Sequence, residues 1–430
     1  MSRPRAAPSS NGSKAASCRA SRRWHAASLA VALLLLGAAP THAVDQPPGE
    51  RVTIDAAQLP APFETRSSSN APREVRRPAD AALRVPAGFR ATLFAEGLRD
   101  ARWLAVAPNG DVFLAEPSPG IVTLLRDEDG SGRATKRATF AAGFEAPHGI
   151  AFRPGFIYIA DTRAVWRIPY ADGDDTAHGA PQQVTPAGAL GDGGGHWTRN
   201  IAFAPDGRHF YVAIGSSSNL AEDPAPRATV RVFNADGSGG RTFASGLRNP
   251  VGIAFEPGTS DLFVVVNERD GLGDGLVPDY LTHLQDGGFY GWPYSYLGQH
   301  PQPRFAERRP DLVGRAIVPD LLFRAHSAPL GLAFYTGTQF PPEYRGDAFV
   351  ALHGSWNSGK PTGYMVARVP FRDGRPAGYY ETFASGFWVA GDDRAEVWGR
   401  PAGLAIAKDG SLLIADDVGN TVWRVSHTAK

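Results

Sequence analysis

His196 is the residue in this chain best placed by its neighbours to move a proton. It stands in Gly193-Gly194-Gly195-His196-Trp197-Thr198-Arg199-Asn200, where three glycines let the backbone come close to a ligand and an arginine follows three positions on. An imidazole near its ordinary pKa of about 6.5 accepts a proton from a hydroxyl at neutral pH. A second polar group, Arg248-Asn249-Pro250, stands just ahead of an apolar strand pattern. Arginine there could hold a carboxylate or phosphate, because its planar fork donates two parallel hydrogen bonds.

The elements that position these residues come from an internal repeat. A small or aromatic residue, Leu or Ile, Ala and an apolar residue lead through a turn into a second apolar strand. The copies begin at Trp103-Leu104-Ala105-Val106, Gly149-Ile150-Ala151-Phe152, Asn200-Ile201-Ala202-Phe203, Gly252-Ile253-Ala254-Phe255, Gly331-Leu332-Ala333-Phe334 and Gly403-Leu404-Ala405-Ile406. Several turns are spelled Pro-Asn-Gly or Pro-Asp-Gly, the chemistry of tight hairpins. Short-strand meanders recurring in this way are blades, and ring closure buries the two faces a lone blade would expose. The expected fold is therefore all-β, a six-bladed β-propeller over residues 83–427, with two packed β-sandwiches as the alternative. Residues 265–325 separate the fourth and fifth copies and are expected to build the active face.

In such a ring the first strand of each blade lines the central channel, so the residues just before each copy gather at one mouth. They are Arg102, His148, Arg199, Arg248 with Asn249, His326 and Arg400. Together they read as a cationic pocket for an anion, although any one arginine could equally pair with a rim carboxylate such as Asp100 or Asp392.

Residues 1–43 read as an export signal: a basic start without acids, an apolar run over Ala26 to Ala39, and Thr41-His42-Ala43 as a cleavage site. The run is short of the roughly 20 residues a membrane span needs. Ser21-Arg22-Arg23 permits the twin-arginine form of such a signal, although His25 stands where that form usually carries a hydrophobic residue. Export to the periplasm or beyond, with no stable membrane anchor, is the expectation. Residues 44–82, rich in Pro, Ser and Arg, read as an extended or disordered arm without catalytic groups. The one cysteine, Cys18, lies in the signal, which excludes disulfides and thiol chemistry from the rest. A formal net charge of +1 gives no reason to expect nucleic acid as a partner.

His196 with Arg199, then Leu247-Arg248-Asn249-Pro250-Val251-Gly252, then Gly287-Gly288-Phe289-Tyr290-Gly291-Trp292-Pro293, in series on this repeat, resemble the soluble aldose (glucose/sorbosone) dehydrogenases that use pyrroloquinoline quinone (PQQ). Asn267-Glu268-Arg269-Asp270, Pro278-Asp279-Tyr280-Leu281 and His353-Gly354-Ser355-Trp356-Asn357 look most like the sorbosone branch. The resemblance implies PQQ and calcium as cofactors and a small sugar as substrate, and leaves the electron acceptor, a quinone or cytochrome, open. It implies His196 as base, Arg248 and Asn249 beside the reacting oxygen, and Arg199 and Arg400 on the cofactor's carboxylates or orienting the sugar. Trp356 would stack on the ring, with His353 and His148 as further pocket residues. It places calcium on main-chain oxygens of Arg269, Asp270 and Gly271, with Asp274 and Asp279 as candidate side-chain ligands. Asp279 could instead cap the Tyr280-Leu281 turn, and Trp292 reads as core. Where the glucose-oxidising members carry a carboxylate that orients the base, this chain has Ser216, so orientation must come from a hydroxyl, from Glu222 or from elsewhere. The family's cofactor-binding lysine has no clear counterpart; Lys360 lies in the right region. Two other classes stay open: a propeller lactonase, whose divalent ion wants a carboxylate-rich centre, and a non-catalytic exported binding propeller.

Overall fold

The computed structural model describes residues 46–428, so the export-signal expectation for residues 1–43 lies outside the described residues. Among the described residues the regular structure is almost wholly β, organised as six sheets of four or five strands beside three small ones. Each repeat copy supplies the first strand of one sheet. These strands are Trp103–Val106, Ile150–Arg153, Arg199–Phe203, Asn249–Phe255, Pro329–Phe334 and Pro401–Ile406. Within a sheet, consecutive strands pair antiparallel through short turns. In the first sheet, for instance, Trp103–Val106 pairs with Val112–Glu116, which pairs in turn with Ile121–Arg126.

The six first strands touch one another in sequence order, and the sixth touches the first, so the contacts close a cycle. The glycines of the repeat explain how they come so close. A Cβ on Gly252 would stand 2.5 Å from Leu330 O, and one on Gly403 would stand 2.8 Å from Arg102 O. Only glycine lets the neighbouring backbones approach to that distance.

Apolar side chains alternate along each strand and fill the gaps on both sides of it. Phe113 packs with Ile157 and Ile159 of the second sheet, whereas its neighbour Leu114 packs with Leu413 and Ala415 of the sixth. Val264 and Val265 divide in the same way between the third and fifth sheets. The period of two thus places one core cluster in each gap between neighbouring sheets. The sixth sheet is completed by strand Phe89–Ala95, which pairs antiparallel with Thr421–His427.

Residues 46–82 lie along this body. Arg51–Val52 adds an edge to the fifth sheet by pairing with Tyr380 and Glu381, and Arg73–Glu74 runs parallel to Glu396–Val397. The insert over 265–325 meets its expectation in part: Asn267, Glu268, Asp270 and Asp279 from it line the central cavity. Gly288–Phe289 and Leu321–Ala325 instead extend the outer edges of the third and fourth sheets.

Candidate functional site

A cavity of about 330 Å³ opens where the first strands begin, and residues at or near the starts of five of the six sheets line it. Arg102, His196, Arg248, Asn249, His353 and Arg400 meet there, with Trp356 at the rim.

His196 is held by the loop that follows the second strand of its own sheet. Gly195 turns with φ +65°, and a side chain at that position would collide with Ser217 O, so the loop folds tightly onto Ser216. The main-chain N–H of His196 donates to Ser216 O at 3.0 Å. The imidazole Nδ1 lies 3.1 Å from Ser216 O and 2.9 Å from Ser216 Oγ. A carbonyl only accepts, and Ser216 Oγ already donates to Ser218 O at 2.6 Å. Both contacts therefore require the proton on Nδ1, which leaves Nε2 as the basic nitrogen. Burial, and then the Arg248 guanidinium, push the imidazole pKa down to about 4, so it is neutral at physiological pH. The orienting group is thus the Ser216 hydroxyl and carbonyl. Glu222 is engaged elsewhere, accepting from Tyr294 OH at 3.0 Å and Arg308 at 2.9 Å.

Arg248 is buried and fixed. Its Nη2 donates to Asn219 Oδ1 at 2.9 Å and to Asp270 Oδ2 at 3.1 Å. Asn219 is in turn braced by Trp292, whose Nε1 donates to Asn219 O at 3.0 Å. Trp292 is buried as core, and it supports the site through this bond. Asn249 lines the cavity beside Arg248, and its buried Oδ1 has no partner among the described residues.

Across the cavity the sixth and first sheets present Arg400 and Arg102. Arg400 donates to His353 O at 2.9 Å and to Gly354 O, and its guanidinium lies 5.6 Å from the Tyr364 ring centroid. It makes no ion pair among the described residues. Arg102 is paired with Asp417, which also accepts from His353 Nε2 at 2.9 Å. Burial first, and then Arg400, push the His353 pKa down to about 4, so this ring too is neutral. Trp356 stands 51 % exposed at the rim, a flat apolar face in the open.

Other sequence expectations need correction. Arg199 is wholly buried and does not line the cavity; its guanidinium donates to the carbonyls of Leu190, Asp192, His196 and Thr198. It holds the His196 loop in place of a cofactor carboxylate. His148 is also wholly buried, 4.5 Å from the Trp103 ring and 5.7 Å from that of Trp197, and is absent from the lining. The Arg269 side chain points into a buried nest of Glu268, Gln302, Pro293 O and Ser295 O, which leaves the expectation for its main-chain oxygen as it stood. Asp274 accepts from Gly359 N at 2.6 Å, and neither it nor Gly271 lines the cavity. Lys360 pairs with Asp393 on the surface.

The pocket is also less cationic than expected. Against Arg102, Arg248, Arg400 and His326, whose Nδ1 lies 3.4 Å from Asp270 Oδ1, stand Glu268, Asp270 and Asp279 on the fourth-sheet side. Asp279 caps no turn. It sits in a strand, accepts from Glu268 N and Ala328 N at 2.8 Å each, and is pushed up to about 7 by burial. Glu268, missed in the sequence, keeps a buried Oε1 without a partner among the described residues. No group of three or more His, Cys, Asp or Glu side chains among the described residues is arranged to hold a metal ion. Main-chain oxygens are the remaining donors there, and Asp270 O already accepts from Asn219 Nδ2 at 2.9 Å.

An all-β body with a buried neutral imidazole and fixed arginines around one cavity defines a class of site suited to a small polar molecule. The sequence profile of the TrAA12-like family matches residues 83–277 and 312–428, and the chain belongs to that family. It is 27 % identical over 356 residues to the pyrroloquinoline quinone-dependent pyranose dehydrogenase of Coprinopsis cinerea, covering 71 % of this chain and 46 % of that enzyme. The chain thus spans about half the length of that relative. Its fold matches the holo pyranose dehydrogenase PQQ domain from Coprinopsis cinerea with a TM-score of 0.67 at 22 % identity, covering 83 % of this chain and 99 % of that one. It matches the calcium structure of a Trichoderma reesei family AA12 carbohydrate-active enzyme with a TM-score of 0.67 at 19 % identity, covering 83 % and 100 %. Among the described residues no helix is long and apolar enough to cross a membrane.

Proposed function

We propose that this chain is an exported sugar dehydrogenase built as a six-bladed β-propeller, with PQQ and calcium as cofactors. The observation that carries the reading is a neutral imidazole with a fixed tautomer, His196, sharing one cavity with Arg400, a buried cation whose partners are carbonyls. PQQ is flat and carries three carboxylates. Arg400 has charge to offer one of them, and Trp356 and Trp197 offer aromatic faces. Main-chain oxygens of the 269–271 loop would be the donors to a hard cation, and Glu268 Oε1, buried without a partner among the described residues, is a further oxygen beside that loop.

When bound, PQQ supplies a two-electron acceptor for a hydride. The chain supplies the rest. Nε2 of His196 takes the proton from the sugar hydroxyl as the C–H bond is broken. Arg248, already locked by Asn219 and Asp270, stabilises charge on that oxygen without having to reorganise. Asn249 adds a polar side chain beside it.

The test is to load the purified protein with PQQ and calcium and to follow dye reduction with aldoses, pyranoses and sorbosone. Sorbosone belongs on the panel because the 267–270 and 353–357 motifs resemble that branch. Reduction that depends on both PQQ and sugar supports the proposal. Lactone hydrolysis without PQQ would overturn it in favour of a hydrolase using the Glu268, Asp270 and Asp279 wall. Silence in both assays would leave a binding protein.

A further inference from the structure

Two loops bring chemistry to the cavity from the fourth and fifth sheets. One carries Glu268 and Asp270 and continues to Asp274; the other carries His353, Trp356 and Asn357 and continues to Gly359. They are joined to each other: Asn357 Nδ2 donates to Asp270 Oδ1, and Gly359 N donates to Asp274 Oδ1 at 2.6 Å.

A third segment, which lies before the family match, binds both loops from outside. Phe63 N donates to Leu272 O at 2.7 Å. Asp274 N donates to Thr65 Oγ1 at 2.8 Å, and Gly273 N donates to Ser67 Oγ at 3.2 Å. Asn70 then reaches the second loop, with its main-chain N–H on Trp356 O at 2.7 Å and its Nδ2 on Ser358 O at 3.0 Å and Asp393 O at 2.6 Å. Gly273 is at φ +127°, and a Cβ there would lie 2.9 Å from Thr65 Oγ1, so the chain is shaped for this contact.

We infer that Thr65, Ser67 and Asn70 are positioning residues that hold the two cavity loops at a fixed separation and thereby set how tightly the cavity binds cofactor and sugar. The inference rests on the dehydrogenase reading for the identity of those ligands. Without the arm, the amides of Gly273 and Asp274 lose their acceptors and the Ser358 carbonyl loses a donor. Each such neutral bond contributes modestly, and loop ordering is lost with all three. His196 and Ser216 hang from the third sheet, and no arm bond among the described residues reaches them, so the base keeps its brace, whereas Arg248 loses part of its hold as Asp270 loosens with its loop.

The experiment uses the full chain carrying Thr65→Val, Ser67→Ala and Asn70→Ala together, with Thr65→Ser as the conservative control. Amide exchange without cofactor is expected to quicken at least tenfold at Gly273 and Asp274 and to rise across 356–360, with the melting temperature little changed. The PQQ dissociation constant and the sugar KM are expected to rise about five- to tenfold, with a smaller fall in kcat of about threefold at most, because His196 keeps its brace while Arg248 keeps Asn219. Thr65→Ser is expected to match the parent in all of these. Unchanged exchange in both loops would overturn the inference, as would faster exchange with unchanged PQQ affinity. If the parent itself takes up no PQQ, the dehydrogenase reading fails and the exchange measurement alone decides the inference.

Discussion

The two sides of the cavity handle charge differently. On the side of the third and fourth sheets, Arg248 is matched by Asp270 and held by Asn219, and the His196 loop is held by Arg199 and by Arg227, which donates to Gly215 O at 3.2 Å. On the side of the sixth sheet, Arg400 donates to carbonyls and makes no ion pair among the described residues, while Asp417 is shared by Arg102 and His353. A wall whose arginines are held by matched partners fixes geometry, which suits a proton transfer that tolerates little misplacement. A buried cation without a counter-ion is costly to keep, and an anionic ligand relieves that cost. On the proposed function, chemistry belongs to the first wall and holding to the second.

Removing the base strikes the first wall hardest. His196→Ala is expected to lower kcat by about 10³-fold while the PQQ dissociation constant stays within a few-fold; turnover and cofactor titration on the same sample check this. Arg248→Gln comes next, with a loss of about 10²-fold in kcat and a smaller effect on cofactor affinity, because its charge serves the reacting oxygen. Arg400→Met should show the reverse split: cofactor affinity falls about 10- to 100-fold, and kcat at saturation changes little. If the two arginine variants gave the same split, the division into two walls would be wrong.

A gentler probe is Ser216→Ala, which leaves the Ser216 carbonyl to hold Nδ1 and is expected to reduce kcat only a few-fold. The pH profile sharpens it. The base works when neutral, and a pKa lowered to about 4 keeps it neutral as pH falls, so kcat in the parent should hold from pH 7 to 5 and decline only near 4. An acid limb at the ordinary value of about 6.5 would contradict a base in these surroundings. Smallest of all, Lys360→Ala should leave cofactor affinity unchanged, because that side chain is 74 % exposed and paired with Asp393.

The sheet plan was legible because the Gly-Ile-Ala-Phe pattern states two requirements at once: a glycine where neighbouring backbones nearly touch, and alternation that fills a gap on each side. Arg102, Arg248 and Arg400 were legible for a related reason, since a residue just ahead of an inner strand stands at the channel mouth. Arg199 broke the rule because a glycine-rich loop leaves carbonyls that need buried donors, and sequence does not say which nearby arginine meets them. His148 failed because Trp103 and Trp197 enclose it. Glu268 stood in the sequence only as part of the Asn267-Glu268-Arg269-Asp270 motif, and the fold alone shows that one of its oxygens is left over. The arm bonds of Asn70 span more than 280 positions to Ser358 and could not be read from either segment alone.

The pairing of Phe89–Ala95 with Thr421–His427 also bears on how the molecule is made. An early strand must wait for one of the last to be synthesised before the circle can shut. Long-range pairing of this kind is slow to form, and the waiting intermediates carry unpaired edges. A nascent chain cut short anywhere before residue 421 would lack that partner, so the cell would be expected to find truncated forms insoluble long before it found them inactive.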